Sequence, residues 1–220
     1  MDNQYKVIAI DGPSSSGKGT VAKLVAQKLK FSYLDSGSIY RALGLMVIEN
    51  HVSIEDDKAI LQLRSQMQLS FRADGVYLDE ENVNDKIRDE KVGMMASALG
   101  KKAKIREDLL NFQREFALKD NLVTDGRDMG SVVFPNANLK VFLTASVQKR
   151  AQRRYEQLQY LGKSAKIEAI LHDIILRDRQ DSERQIAPLK FDESYKFLDN
   201  TDLTLDECVN QIIKWYYEII

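Results

Sequence analysis

The chain has 220 residues, 44% of them apolar and 30% charged, with a net charge of −1. That is long enough to bury one full core. The balanced charge excludes a global field that would draw the chain to nucleic acid or to a membrane surface, so any basic site must be local. The single cysteine, Cys208, excludes an intramolecular disulfide and a cysteine metal cluster; its apolar helical setting reads as core rather than as a reactive thiol. The opening Met-Asp-Asn-Gln-Tyr lacks the charged and apolar regions of a secretory signal. No apolar run reaches membrane-spanning length, and the expectation is a cytoplasmic protein.

In chain order, strands and helices alternate, the pattern of a parallel sheet with helices on both faces. Lys6 to Asp11 is the first expected strand, Lys18 to Lys30 the first helix, and Phe31 to Asp35 a short second strand. Ile39 to Asn50 carries Leu43, Val47 and Ile48 at helical spacing. Met67 to Val83 alternates apolar and polar residues around Asp74-Gly75, a hairpin signal. Lys86 to Leu118 then reads as helices, and together these segments form an insertion. Leu122 to Asp125 and Leu139 to Thr144 are buried strands, apolar on both sides as central parallel strands are. Val147 to Arg184 is rich in Arg and Gln and reads as helices projecting from the sheet, a candidate lid. Tyr195 to Asp199 is a last short strand, and Thr204-Leu-Asp-Glu207 is a capping box opening the C-terminal helix. The expected organisation is one domain over 1–220. Its core covers about 1–40, 120–146 and 185–220, with an insertion at about 41–119 and a lid at about 147–166.

The densest signal follows the first strand. Gly12, Pro13, Ser14, Ser15, Ser16, Gly17, Lys18, Gly19 and Thr20 join an apolar strand to a helix and match a phosphate-binding P-loop. Gly12 and Gly17 let the backbone turn so that several N–H groups face one anion, at the positive end of the following helix. Lys18 brings a point charge to the β- and γ-phosphates of a nucleoside triphosphate, and Thr20 is the hydroxyl nearest the expected Mg²⁺ position. Gly19 stands between Lys18 and Thr20, where most P-loops have Ser or Thr directly after the lysine. That ending resembles nucleoside monophosphate kinases more than GTPases or transport ATPases. Ser15 stands where such kinases often carry another glycine.

Three further groups fall near strand ends, where ligands bind in open α/β sheets. Arg41, on the helix after the second strand, can fork onto an acceptor phosphate or be a surface arginine. Asp125-Gly-Arg-Asp-Met-Gly130 closes a buried strand. There Asp125 can hold Mg²⁺ through water, Arg127 and Asp128 would face the acceptor, and Gly126 and Gly130 suggest close approach to a ligand. Arg177, Asp181 and Arg184 are spaced for one helix face, beside Arg179; they are a site or a solvated ion-paired face. Arg150, Arg153 and Arg154 could close over nucleotide phosphates or be solvated.

Four segments together resemble the bacterial cytidylate kinase family over nearly the whole chain. They are the P-loop Gly12 to Thr20, Leu34-Asp-Ser-Gly-Ser-Ile-Tyr-Arg41, Thr124-Asp-Gly-Arg-Asp-Met-Gly-Ser-Val-Val-Phe-Pro135, and the Arg/Asp cluster before Ile186-Ala-Pro-Leu189. The resemblance implies an α/β P-loop kinase fold. This comprises a five-stranded parallel sheet with helices on both faces, an enlarged monophosphate-binding insertion with a small antiparallel β element, and a helical lid. It implies ATP-dependent phosphorylation of CMP and dCMP with Mg²⁺, in a protein expected to be a monomer without nucleic-acid or membrane partners. Arg41, Arg127 and Arg184 would hold the CMP phosphate, with Ser36 beside them in the substrate site. Ser97 and Arg106, in Met95-Ala-Ser-Ala98 and Lys104-Ile-Arg-Glu107, would read the cytosine with Asp128. Arg177 and Asp181 would hold the sugar, and Arg153 and Arg154 the ATP.

Chemistry favours cytosine for such a set. An arginine suits the acceptors N3 and O2, and a carboxylate suits the C4 amine. Uracil reverses N3 and C4, leaving buried groups unpaired at about 1–3 kcal/mol each. Rivals remain at this stage: a P-loop kinase for UMP, dTMP or shikimate, and a regulatory NTPase working through a protein partner.

Overall fold

The computed structural model describes residues 5–72, 74–160, 162 and 164–220. The leader reading at Met1 to Gln4 lies outside them, as do Ala73 of the hairpin and Leu161 and Lys163 of the expected lid. The chain divides into two compact units, residues 1–33 with 117–220, and residues 34–116.

A five-stranded parallel sheet lies in the first unit except for the last two residues of one edge strand. Its strands are β1 (Val7–Asp11), β2 (Ser32–Asp35), β6 (Leu122–Gly126), β7 (Leu139–Thr144) and β8 (Tyr195–Asp199), in the spatial order β2-β6-β1-β7-β8. Every residue of β1 and β6 is buried, as expected for central parallel strands covered on both faces. β1 leads through α1 (Lys18–Leu29) toward β2, whereas β6 leads to β7 on the other side of β1. The ends of β1 and β6 therefore flank a topological switch point, the position where such sheets bind ligands. Their last residues, Asp11 and Gly126, are register partners.

One core cluster joins Ile8, Ile10, Val123, Val141 and Leu143 of the sheet to Val21 and Val25 of α1. It also takes in Val209 and Ile212 of α8 (Leu205–Ile219). The capping box forms at Thr204 and Glu207 as expected. The Arg/Gln-rich segment makes two helices, α6 (Val147–Tyr160) and α7 (Ile167–Glu183). They share a small cluster of their own around Ala151, Ile170 and Ile174.

One expectation is corrected here. Arg184 does not share a helix face with Arg177 and Asp181, because α7 ends at Glu183 and Arg184 is extended (φ −61°, ψ 140°). The chain turns back, so that Leu189 N donates to Asp181 O at 2.7 Å. That bond takes a last-turn carbonyl which a continuing helix would have used.

The second unit holds α2 (Ser36–Glu49), α3 (Asp57–Gln66), β3 (Leu69–Arg72), β4 (Gly75–Leu78), β5 (Glu81–Asn82), α4 (Glu90–Leu99) and α5 (Ala103–Phe116). Asp35 caps α2 by accepting from Ser38 N at 3.0 Å, so this helix starts three residues before the expected Ile39. The hairpin forms around Asp74 and Gly75 with Phe71 opposite Val76, and β5 extends it to three antiparallel strands. Helix α3 was not legible in the sequence. Ile60 is its one buried residue, too little for a periodic signal, although Asp56 caps it.

Candidate active site

The loop after β1 turns into α1 through Gly17, whose φ of +87° is the left-handed conformation that glycine adopts without strain. Gly12 is needed for a different reason. A Cβ there would lie 2.0 Å from the carbonyl oxygen of Leu143, so the loop lies against the end of β7. Ser15 sits at φ +60°, which explains why glycine suits that position.

The carbonyls of this loop are tied down by cations at every second residue. Gly12 O accepts from Arg127 at 2.9 Å, Ser14 O from Arg150 at 3.1 Å, and Ser16 O from Arg153 at 3.2 Å. Asn200 Nδ2 adds a bond to Ser16 O at 2.9 Å, and the Lys18 ammonium reaches Pro13 O at 3.2 Å. A loop whose carbonyls are held this way turns its N–H groups toward an anion, the arrangement of a backbone nest. Arg153 is further held by both oxygens of Asn200 at 2.9 Å. Arg150 is buried, so the solvated reading of that residue is corrected.

The segment after β6 is organised by a residue that sequence reasoning passed over. Asp11, fully buried, accepts from Met129 N and Gly130 N at 2.8 Å each and from the Tyr195 hydroxyl at 2.9 Å. It thereby caps the single wide helical turn Met129–Val133. Burial pushes the Asp11 carboxyl upward, the three donated bonds pull it back, and nearby Asp128 adds to the rise. Burial and Asp11 push the Tyr195 phenol well above its usual value, which keeps it a donor. The only available hint was an aspartate closing β1 immediately before the P-loop.

The two glycines of Asp125-Gly-Arg-Asp-Met-Gly130 make room for neighbouring protein groups. A Cβ on Gly130 would meet the Tyr195 hydroxyl at 2.6 Å, and one on Gly126 would meet Met129 at 2.9 Å.

Arg127 reaches the P-loop from this segment, donating to Ser14 Oγ at 2.8 Å as well as to Gly12 O, while its Nε donates to Asp181 at 2.6 Å. Asp128 is buried, 3.7 Å from Arg184, and the Arg184 Nε donates to Ala187 O. Asp125 is buried and accepts from the Tyr33 hydroxyl at 2.7 Å. Its carboxylate oxygens lie 3.7–3.8 Å from where a Gly19 Cβ would stand, beside the start of α1. Thr20 is exposed on that same first turn. Burial and the charge of Arg177 lower the Arg154 guanidinium, so two like charges sit near one another. An anion between them would relieve that repulsion. Cys208 is buried and its thiol is pushed up by burial, in keeping with a core role.

The second unit carries the other expected residues. The Arg41 guanidinium donates to Ile87 O at 2.9 Å. Ser36 is buried and its hydroxyl donates to Gln113 at 2.7 Å. Arg106 donates to Gly100 O at 3.3 Å and lies 5.9 Å from the Tyr40 ring centre. Ser97 is exposed near the end of α4, lining a concavity with Met94 and Lys101.

Residues 8–218 match the family model described as cytidylate kinase. The chain belongs to the cytidylate kinase family. It is 46% identical over 215 residues to a cytidylate kinase of Ralstonia nicotianae, covering 98% of this chain and 94% of that protein. It is 47% identical over 210 residues to a cytidylate kinase of Polynucleobacter necessarius, covering 96% and 98%. Among solved structures, a protein of Eubacterium ventriosum described as uncharacterized shares the fold alone, at TM-score 0.56 and 15% identity over 98% and 99% of the two chains. Membership in the cytidylate kinase family makes the chain a P-loop kinase, a phosphoryl transferase.

Proposed function

We propose that the protein transfers the γ-phosphoryl group of ATP to the α-phosphate of CMP and dCMP. The observation that carries this is the position of Arg127. One guanidinium from the Asp-Gly-Arg-Asp-Met-Gly segment touches the P-loop at Gly12 and Ser14. A cation there offsets charge on both the donor and the acceptor side of an in-line transfer. Family resemblance assigns Arg41, Arg127 and Arg184 to the CMP phosphate with Ser36 in the same substrate site, Ser97, Arg106 and Asp128 to the cytosine, and Arg177 and Asp181 to the sugar. Lys18, Arg153 and Arg154 are assigned to ATP. The acceptor phosphate is already ionised, so positioning and charge neutralisation suffice and no general base is named.

Mg²⁺ fits Asp125. The group is a hard oxygen donor beside the first turn of α1, and Mg²⁺ keeps several waters and needs few protein ligands. With Thr20, which follows Gly19 on that turn, Asp125 would hold the ion, which when bound would neutralise charge on the β- and γ-phosphates.

The same reading makes the protein a cytoplasmic monomer acting on small nucleotides, without nucleic acid or membrane. The net charge is −1, and no described helix is long and apolar enough to cross a membrane. The test is ADP release from MgATP across a panel of CMP, dCMP, UMP, dTMP and shikimate. CMP and dCMP should give the highest kcat/KM. Acceptor-independent ATP hydrolysis would support a regulatory NTPase instead, and preference for another acceptor would overturn the cytosine assignment.

A further inference from the structure

Arg150 is 3% exposed and bonded on three sides. Its Nε donates to Ala145 O at 2.9 Å, one terminal nitrogen donates to Ser14 O at 3.1 Å, and the other pairs with Asp178 at 2.7 Å. These three acceptors belong to the end of the β7 segment, the P-loop and α7 respectively. A single rigid fork therefore fixes three elements at once, the kind of geometry that arginine and not lysine can supply. These three bonds tie Arg150 into the protein around the loop.

We propose that Arg150 is a positioning residue for the donor nucleotide, acting through the Ser14 carbonyl and locked by Asp178. Ser14 O is the middle of the alternate carbonyls held by Arg127, Arg150 and Arg153. If its bond is lost, the peptide between Ser14 and Ser15 is free to rotate, and the following N–H turns away from the anion. Ser15 is already left-handed at φ +60°, a conformation that persists in a residue other than glycine only when its surroundings hold it. Asp178 gives the lock its direction. It lies one turn before Asp181, which holds Arg127. Among the described residues, the helix pair α6–α7 packs around a small cluster of its own. The Arg127–Asp181 and Arg150–Asp178 bridges are thus two ties between α7 and the P-loop. Loosening Arg150 should be felt at the donor site first, because Ser14 belongs to the loop that takes the triphosphate. This inference rests on the P-loop being the ATP site.

The test compares Arg150→Met and Asp178→Asn with wild type in the full chain, titrating MgATP and CMP separately. Wild-type binding of MgATP checks the ATP assignment on its own; no binding there would overturn that assignment and this inference with it. With wild-type binding present, Arg150→Met should weaken MgATP about tenfold or more, the scale of one lost bond to a charged donor, and leave CMP within about twofold. Asp178→Asn should weaken MgATP about threefold in the same selective way, since the guanidinium keeps its bond to Ser14. It carries the test alone if Arg150→Met does not fold. Unchanged MgATP affinity, or equal weakening of MgATP and CMP, would show that Arg150 is merely part of the scaffold.

Discussion

Arg127 Nε donates to the Asp181 carboxylate at 2.6 Å, which joins a residue assigned to the acceptor phosphate to one assigned to the sugar. On the proposed assignment Asp181 would act on the nucleotide in two ways, by binding the sugar and by aiming the guanidinium that also touches Gly12 and Ser14. Asp181→Asn keeps an acceptor oxygen but removes the charge. Loss of a charge-assisted bond of this kind is worth about 1.5–3 kcal/mol. The expected result is a kcat/KM for CMP reduced roughly 10–100-fold, with kcat falling as well as KM rising because Arg127 loses its aim. A change in KM alone would confine Asp181 to sugar binding.

The Lys18 ammonium donates to Pro13 O at 3.2 Å, within the loop assigned to the triphosphate. Lys18→Ala should leave the melting transition close to wild type, since this group supports no core packing. Transfer should fall by about 10²–10³-fold, the range for removing one group that stabilises transition-state charge. Turnover near wild type in a folded variant would exclude the P-loop mechanism.

Tyr195 donates to a fully buried carboxylate, Asp11, and Gly130 leaves room for its hydroxyl. Tyr195→Phe removes that donor while filling the same space. Asp11 keeps the two backbone N–H bonds from Met129 and Gly130. The expected loss of stability is about 1–3 kcal/mol, the cost of leaving a buried polar group short of a partner, read from chemical unfolding at neutral pH. No change would mean that the two backbone donors alone satisfy Asp11.

These bonds mark the boundary of what the sequence discloses. The strands Leu139–Thr144 and Tyr195–Asp199, the Thr204 cap and the hairpin at Asp74-Gly75 were all legible, because each depends on residues close together in the chain. The P-loop was legible for the same reason, its residues being contiguous. Asp11, Arg150 and Asn200 were not, since their partners Met129, Ser14 and Ser16 lie 118 to 184 positions away. Nothing in local composition separates the buried Arg150 from Arg153 and Arg154, which are only partly buried. Arg184 was misplaced because helical spacing continues past Glu183, whereas the bond from Leu189 N to Asp181 O ends the helix.

Base choice is the sharpest test of the cytosine assignment. Asp128 is buried, with Arg184 at 3.7 Å. A carboxylate there would accept from the cytosine amine and repel uracil O4. Asp128→Asn can turn its NH₂ toward uracil O4, so the gap between CMP and UMP should narrow. It should not reverse, because Arg106 would still oppose uracil N3–H. The loss for CMP should be about 1.5–3 kcal/mol, or roughly 10–100-fold in kcat/KM. The measurement is the ratio of kcat/KM for CMP and UMP in both proteins at saturating ATP. An unchanged ratio with both substrates falling together would move Asp128 to the phosphate side, as a partner of Arg184, and leave base selection to Ser97 and Arg106.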